Sequence, residues 1–222
     1  DSQLQSLQQA VDEAEYLLAL NNYPPRHLLF AAKASDALGR YFLNTAYRAK
    51  SAGMDEESRD FANRALQLFE SSEHRLLTAF EREGATGEYL ALLLSSLQYQ
   101  CFLHLELDDL TAFNHTVERY KTNWPDDNDR SVHEFVAAAC YADAAMKTDG
   151  AEADNFSAKA LKLLREAIDD GFDKAPGNEG FEFDYLWSPL KMLRDQLDPE
   201  EQNSLDQIIE EIQRRSDAST KE

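Results

Sequence analysis

The chain has 222 residues, of which 43% are hydrophobic, and it carries 22 Lys and Arg against 42 Asp and Glu, a formal net charge of −20. This composition excludes a disordered chain and is sufficient to bury a core in one elongated domain or two small ones. The negative charge repels phosphates and anionic lipids, which argues against nucleic acid and anionic membranes as partners. Solubility accounts for the same charge, with basic partners as the alternative.

Membrane insertion is not predicted, because apolar runs such as Tyr89 to Leu94 are far shorter than the roughly 20 residues that a transmembrane helix needs. No signal peptide is visible, which favours a cytoplasmic location. The chain begins at Asp1 rather than at Met, so an exported or anchored form whose first segment was removed stays open. Cys101 and Cys140 lie in apolar stretches and are predicted to be free, buried thiols.

Helix is predicted nearly throughout, because Leu and Ala dominate while Val and Ile contribute few residues. Apolar residues recur at the helical spacing of 3.6 residues over about 3–20, 25–50, 55–83, 88–107, 110–123, 131–147 and 153–170. A short helix begun by Ser188-Pro189 and a last helix capped by Asp198 follow, with a frayed tail from Ser216. The second helix has two apolar faces, and the fourth is apolar nearly all round, so both are predicted to lie inside a stack.

Four short segments resemble signatures of the tetratricopeptide repeat family. They combine small and large apolar residues at helical spacing with a closing proline, in Ala160-x3-Leu164-x2-Ala167, Ala65-x3-Phe69, Leu38-Gly39-x-x-Phe42 and Trp124-Pro125. The resemblance covers about residues 26–172 and implies stacked antiparallel helix pairs with a concave surface that binds peptides or helices. The pairs recur at longer and less equal intervals than the family's roughly 34 residues. Degenerate repeats are therefore expected, and an irregular helical bundle is the alternative.

The predicted fold class is all-α, with antiparallel helix pairs stacked as a tetratricopeptide-like α-solenoid. Residues 1–172 form the repeat-like body, and residues 173–222 form an irregular aromatic segment and capping helices of the same domain. Trp187 is predicted to be buried, because the stretch Phe181-x-Phe183-x-Tyr185-x-Trp187 would cover the open end of the stack. An exposed aromatic patch for partners is the alternative.

No catalytic or metal-binding signature is present. The five histidines occur in neither Glu-x-x-His nor His-Glu-x-x-His. His104 and Asp108 share a helix face, but two ligands do not make a site. The acidic cluster 126–129 lacks the Gly and Glu that a calcium loop requires. Neither a phosphate-binding loop nor a nucleophile elbow is found. A non-catalytic protein without cofactor or metal is predicted.

The predicted function is a scaffold that binds a protein or peptide partner, and a helical domain that senses a small ligand or regulates is the alternative. The predicted groove is lined by polar and aromatic residues of the second and fourth helices: Lys33, Arg40, Asn44, Tyr47, Arg48, Ser95, Gln98 and Phe102. Arg40 and Asn44 would hold an acidic group of the peptide, and Tyr47 would stack on it. In the competing interpretation Arg40 pairs with Asp36 and Asn44 caps a neighbouring helix.

Overall fold

The computed structural model describes residues 2–20, 23–84, 87–124, 130–175 and 186–219, and the regular elements within them are all helical. Consecutive helices pack as adjacent pairs, so the predicted all-α class is confirmed. The α-helices are α1 Ser2–Ala19, α2 Pro25–Ser51, α3 Asp55–Glu83, α4 Gly87–Glu106, α5 Leu110–Thr122, α6 Arg130–Met146, α7 Gly150–Asp169, α8 Trp187–Leu193 and α9 Pro199–Ser219. A short 3₁₀ turn, Arg194–Gln196, follows α8.

The helix ends lie close to the predicted positions because the terminating residues carry local signals. Asp198 caps α9, since its Oδ1 accepts the backbone N–H groups of Glu200 and Glu201 at 2.9 Å. Gly53 follows α2 with φ of 74°, a conformation that glycine adopts without steric cost. The predicted frayed tail is wrong at its start, because Ser216 is buried and α9 continues to Ser219.

Two compact units make up the chain, residues 1–123 (unit 1) and residues 124–222 (unit 2). The boundary predicted from the sequence lies instead at 172/173, between the repeat-like body and the C-terminal segment. The two compact units thus divide at a different place, and the membership of both segments in one domain stays a prediction.

In unit 1, α2 and α3 form an antiparallel pair around an apolar core. Gly39 of α2 faces the ring of Phe69 of α3, and a Cβ added at Gly39 would lie 3.1 Å from that ring. The absence of a side chain at Gly39 therefore lets the two helices approach closely. Phe69 in turn stacks on Tyr99 of α4, with ring centroids 5.0 Å apart, which extends the core to the next helix.

In unit 2, a cluster of aromatic rings joins α6, the segment after α7, and α8. The ring of Phe135 lies 4.5 Å from that of Phe172 and 4.8 Å from that of Trp187, centroid to centroid. Trp187 is 2% exposed, so its predicted burial is confirmed. The aromatic residues that precede it in the predicted stretch, within 181–185, lie outside the described residues, as does the acidic cluster 126–129.

Two expectations concerned the membrane and the cysteines. Within the described ranges, none of the helices has the length and apolar character that crossing a bilayer requires. Cys101 and Cys140 are both buried thiols outside any disulfide, as predicted.

Candidate functional site

Helix α2 is basic in a strongly acidic chain. It carries five Lys and Arg residues and one acidic residue, Asp36. The formal net charge of the whole chain is −20. The formal charge of α2 taken alone is therefore opposite in sign to that of the whole chain.

Helices α2 and α4 run parallel, and polar contacts join them at three levels. Lys33 forms an ion pair with Glu88, Arg40 donates from Nη2 to the Ser95 hydroxyl at 3.1 Å, and Lys50 forms an ion pair with Glu106. The partners in these contacts are 55, 55 and 56 residues apart. This nearly constant offset places the exposed strips of α2 and α4 side by side, and we call this surface the α2–α4 face.

The guanidinium of Arg40 is held by three groups at the middle of the α2–α4 face. Its Nε donates to Asp36 at 2.7 Å, its Nη2 reaches Ser95, and its central carbon lies 5.0 Å from the ring centroid of Tyr99. Asp36 is only 4% exposed, and this burial raises the pKa of its carboxyl while Arg40 acts in the opposite direction. The pairing of Arg40 with Asp36 predicted by the competing interpretation is thus present, and Arg40 stabilises a buried carboxylate.

At the C-terminal half of α2, three of the predicted site residues are exposed. Asn44, Tyr47 and Arg48 lie at i, i+3 and i+4, and 41% of Tyr47 is accessible. The side chains of Asn44 and Arg48 make no hydrogen bond or ion pair with any part of the chain that the structure describes. Asn44 therefore does not cap a neighbouring helix within these ranges, and the three residues present amide, ring and guanidinium groups to solvent.

Two of the predicted residues do not line an open groove. Gln98 is 3% exposed and Phe102 is 8% exposed, whereas Ser95 is half-buried beside Arg40. Helix α4 is apolar nearly all round, so residues spaced along any of its faces become buried when neighbours pack against it. Gln98 and Phe102 are therefore corrected from groove residues to interior residues.

A buried polar network behind the α2–α4 face was not predicted. The Ser96 hydroxyl of α4 lies 3.5 Å from Asp36 Oδ1 and 3.2 Å from the Ser72 hydroxyl of α3, so it can donate to the carboxylate while it accepts from Ser72. One turn further along α4, Gln100 donates to Glu73 Oε2 at 2.9 Å. The signal in the sequence was the presence of Ser and Gln in an otherwise apolar helix, since buried polar groups need partners.

Within the residues that the structure describes, no cluster of three or more His, Cys, Asp or Glu side chains could hold a metal ion. His104 lies in the last turn of α4, whereas Asp108 follows the helix with φ of 62°, so the two do not share a helix face as predicted. His104 is buried, which lowers the pKa of its imidazole, and Asp108 is exposed and forms an ion pair with Arg59 at 2.9 Å. The α2–α4 face itself carries charged and hydrogen-bonding side chains.

The chain matches no protein-family model. It also has no match among the curated proteins. Among solved structures it is similar to a de novo designed helical repeat protein, at 16% identity over 99% of this chain and 97% of that chain, with a TM-score of 0.32. A similarity this low carries no argument about fold or function, so the functional argument depends on the chain's own residues.

Proposed function

We propose that this protein is a non-catalytic scaffold of the tetratricopeptide-like type, and that it binds an extended acidic segment of a partner protein on the α2–α4 face. The observation that carries the proposal is the exposed set Asn44, Tyr47 and Arg48 on the basic helix α2. A peptide carboxylate would accept charge-assisted hydrogen bonds from Arg48. The Asn44 amide can donate to and accept from a peptide backbone, and the Tyr47 ring can stack on a peptide side chain.

The polar contacts between α2 and α4 support this role, because they fix the α2–α4 face before a partner binds. Lys33, Arg40 and Lys50 are each held by a group on α4, and Arg40 also lies on Tyr99. Because these contacts hold α2 and α4 in register, binding does not have to order the two helices relative to each other, which lowers its entropic cost. Arg40 is thus a positioning residue in the proposal, and Asn44, Tyr47 and Arg48 touch the peptide.

The proposal is tested by capture from native lysate with the double variant Asn44→Ala, Arg48→Ala, followed by quantitative mass spectrometry. We expect the amount of captured partner to fall at least tenfold, because both polar contacts are lost. Neither side chain supports the described fold through a hydrogen bond or ion pair, so the variant should fold normally. Arg40→Ala is less suitable, since it would leave the buried Asp36 without its cation.

The matched control is Asn203→Ala, Arg214→Ala on α9. Both residues are exposed, and Arg214 forms an ion pair with Glu211 at 2.7 Å on its own helix. This control removes the same two residue types from a surface outside α2 and should leave capture unchanged. Equal capture by the double variant and the parent, with folding intact by circular dichroism, would contradict the proposal.

A further inference from the structure

A cleft lies between α1, α2 and α3 of unit 1, and its volume is about 350 Å³. We call it the α1–α3 cleft. Ser35 and Leu38 of α2 line it, nine residues before Asn44 and Tyr47 respectively. Nine residues are about two and a half helical turns, so the α1–α3 cleft and the α2–α4 face lie on opposite sides of α2. Small-molecule sites have volumes of about 300–1,000 Å³, so the cleft can hold a small ligand.

Helix α1 forms one wall of the α1–α3 cleft and is packed firmly in place. Val11 and Ala14 are buried in the core of unit 1, and four further apolar residues of α1 pack against that core: Leu4, Leu7, Ala10 and Leu18. Glu15 of α1 adds an ion pair with Arg75 of α3. The cleft is thus bounded by helices that are already packed, so a ligand does not have to order its walls.

Four polar side chains follow one face of α3 along the cleft. They are Arg64, Gln67, Ser71 and Arg75, at i, i+3, i+7 and i+11. The side chains of Gln67 and Ser71 make no hydrogen bond with any part of the chain that the structure describes. An amide and a hydroxyl are therefore available to a ligand between the two guanidinium groups.

Arg75 is nearly buried, and its guanidinium has unused hydrogen-bonding capacity. It is 9% exposed, and it donates to the Ala31 carbonyl at 3.0 Å, to the Ser35 hydroxyl and to Glu15. These three hydrogen bonds engage three of the five N–H groups of a guanidinium. The other two have no acceptor among the described residues, so an anion in the cleft can supply one.

The charges that line the cleft favour an anion. Two of the three charged lining residues are cations, Arg64 and Arg75, and the third is Glu15, which pairs with Arg75. Arg64 forms an ion pair with Asp60 at 3.0 Å, but both side chains are more than half exposed. Ion pairs this exposed contribute little free energy, so the carboxylate of a ligand can compete with Asp60 for Arg64.

Apolar side chains complete the lining of the cleft. Phe42 of α2 and Leu68 of α3 are both lining residues, and Leu68 is half-buried. The central carbon of the Arg64 guanidinium lies 5.8 Å from the centroid of the Phe42 ring. The cation is therefore next to an apolar surface, so the charged group and the apolar part of one small molecule can be bound together.

We infer that the α1–α3 cleft is a binding site for a small organic carboxylate with a compact apolar body. Arg64 binds the carboxylate, since a guanidinium matches its geometry with two parallel hydrogen bonds. The apolar body packs against Leu68 and Phe42, and Gln67 and Ser71 offer further hydrogen bonds. This site is independent of the proposed function of the α2–α4 face.

The test is an NMR titration of the ¹⁵N-labelled full chain with 2-naphthoate, an aromatic carboxylate. We expect saturable shifts of the backbone amides of residues 64–75, with a Kd of about 1 mM for a probe this small. The uncharged analogue 2-naphthamide should bind at least fivefold more weakly. Arg64→Gln should weaken the binding of 2-naphthoate at least fivefold as well, because the carboxylate loses its charge-assisted hydrogen bonds.

Arg59→Gln is the matched control for Arg64→Gln. Arg59 lies on the same helix, is also more than half exposed, forms an ion pair with Asp108 at 2.9 Å, and does not line the cleft. Its substitution should leave the Kd unchanged. A second cleft variant, Gln67→Glu, adds a negative charge to the lining and loses no hydrogen bond to the described residues, so it should fold normally and bind 2-naphthoate more weakly.

The inference is overturned if the amides of residues 64–75 show no saturable shift up to about 10 mM 2-naphthoate, or if 2-naphthoate and 2-naphthamide bind equally. Equal effects of Arg64→Gln and Arg59→Gln would also overturn it. The variant Asn44→Ala, Arg48→Ala should bind 2-naphthoate as the parent chain does. Loss of binding in that variant would place the probe on the α2–α4 face and likewise contradict the inference.

Discussion

The two units bury different kinds of side chain. Between its central helices unit 1 buries charged and amide groups, among them Asp36, Glu73 and Gln100. Unit 2 also buries one carboxylate, Glu134, but it is packed mainly around an alanine-rich face of α6 and the rings of Phe135 and Trp187. Alanines allow close helix approach and rings bury much area, whereas buried polar groups add little net stability but need particular partners. We therefore infer that packing stabilises unit 2, while polar contacts fix the register of α2, α3 and α4 in unit 1.

The largest expected effect is in the aromatic cluster of unit 2. Trp187→Ala should lower the free energy of unfolding by about 3–5 kcal/mol, the usual cost of removing a fully buried large aromatic side chain. Urea unfolding measures this loss. Met192→Ala on the same helix is the control, because Met192 is 56% exposed and should change stability by less than about 0.5 kcal/mol. Similar losses for the two variants would show that the cluster does not hold unit 2 together.

A smaller loss is expected when the polar network of unit 1 is broken. Arg119 of α5 forms an ion pair with Glu73, whose side chain is 8% exposed, and donates to Thr116 at 3.0 Å. Arg119→Met should cost about 2 kcal/mol, because a nearly buried carboxylate loses its cation and the exposed part of Arg119 moderates the loss. Adding Glu73→Gln should recover part of that stability. Without any recovery in the double variant, the cost would come from packing rather than charge.

Two buried groups, His104 in unit 1 and Glu134 in unit 2, should make pH-dependent contributions to stability of opposite sign. Burial lowers the pKa of His104 in unit 1, so its stability contribution is present above pH 6.5 and is lost as pH falls through the lowered pKa. Burial raises the pKa of Glu134 in unit 2, so its contribution is present below pH 4.5 and is lost as pH rises through the raised pKa. Urea unfolding at several pH values should show that His104→Gln and Glu134→Gln each flatten one of these slopes. An unchanged slope in either variant would contradict the assigned cause.

Much of the fold could be predicted because its signals are local. The caps at Asp198 and Gly53 depend on residues within one or two turns, and the helical spacing of apolar residues depends on a short window. The burial of Trp187 followed from its place in an aromatic stretch that had to cover apolar surface. The division of the chain into two units at 123/124 was not predicted, because the spacing of apolar residues within a helix does not say which helices pack together.

The candidate site was only partly predictable for the same reason. The exposed strip of α2 was identified from the helical spacing of its polar residues. Asn44, Tyr47 and Arg48 of this strip are exposed in the structure. Gln98 and Phe102 of α4 were misplaced because a helix that is apolar nearly all round gives no sign of which face a neighbour covers. The three polar contacts between α2 and α4 join residues 55 or 56 positions apart. The helical spacing of apolar residues does not set this register.

The most direct test of the α2–α4 face replaces Tyr47 with the photo-crosslinking residue p-benzoylphenylalanine. Illumination in native lysate should join a partner protein to this position, and mass spectrometry should locate the crosslink in an acidic segment of the partner. Adding Asn44→Ala and Arg48→Ala should reduce the yield at least tenfold, and the same crosslinker at the exposed Met192 should not join that partner. The account would be contradicted if the alanine substitutions left the crosslinking yield at position 47 unchanged. An equal yield of the same partner from position 192 would also contradict it.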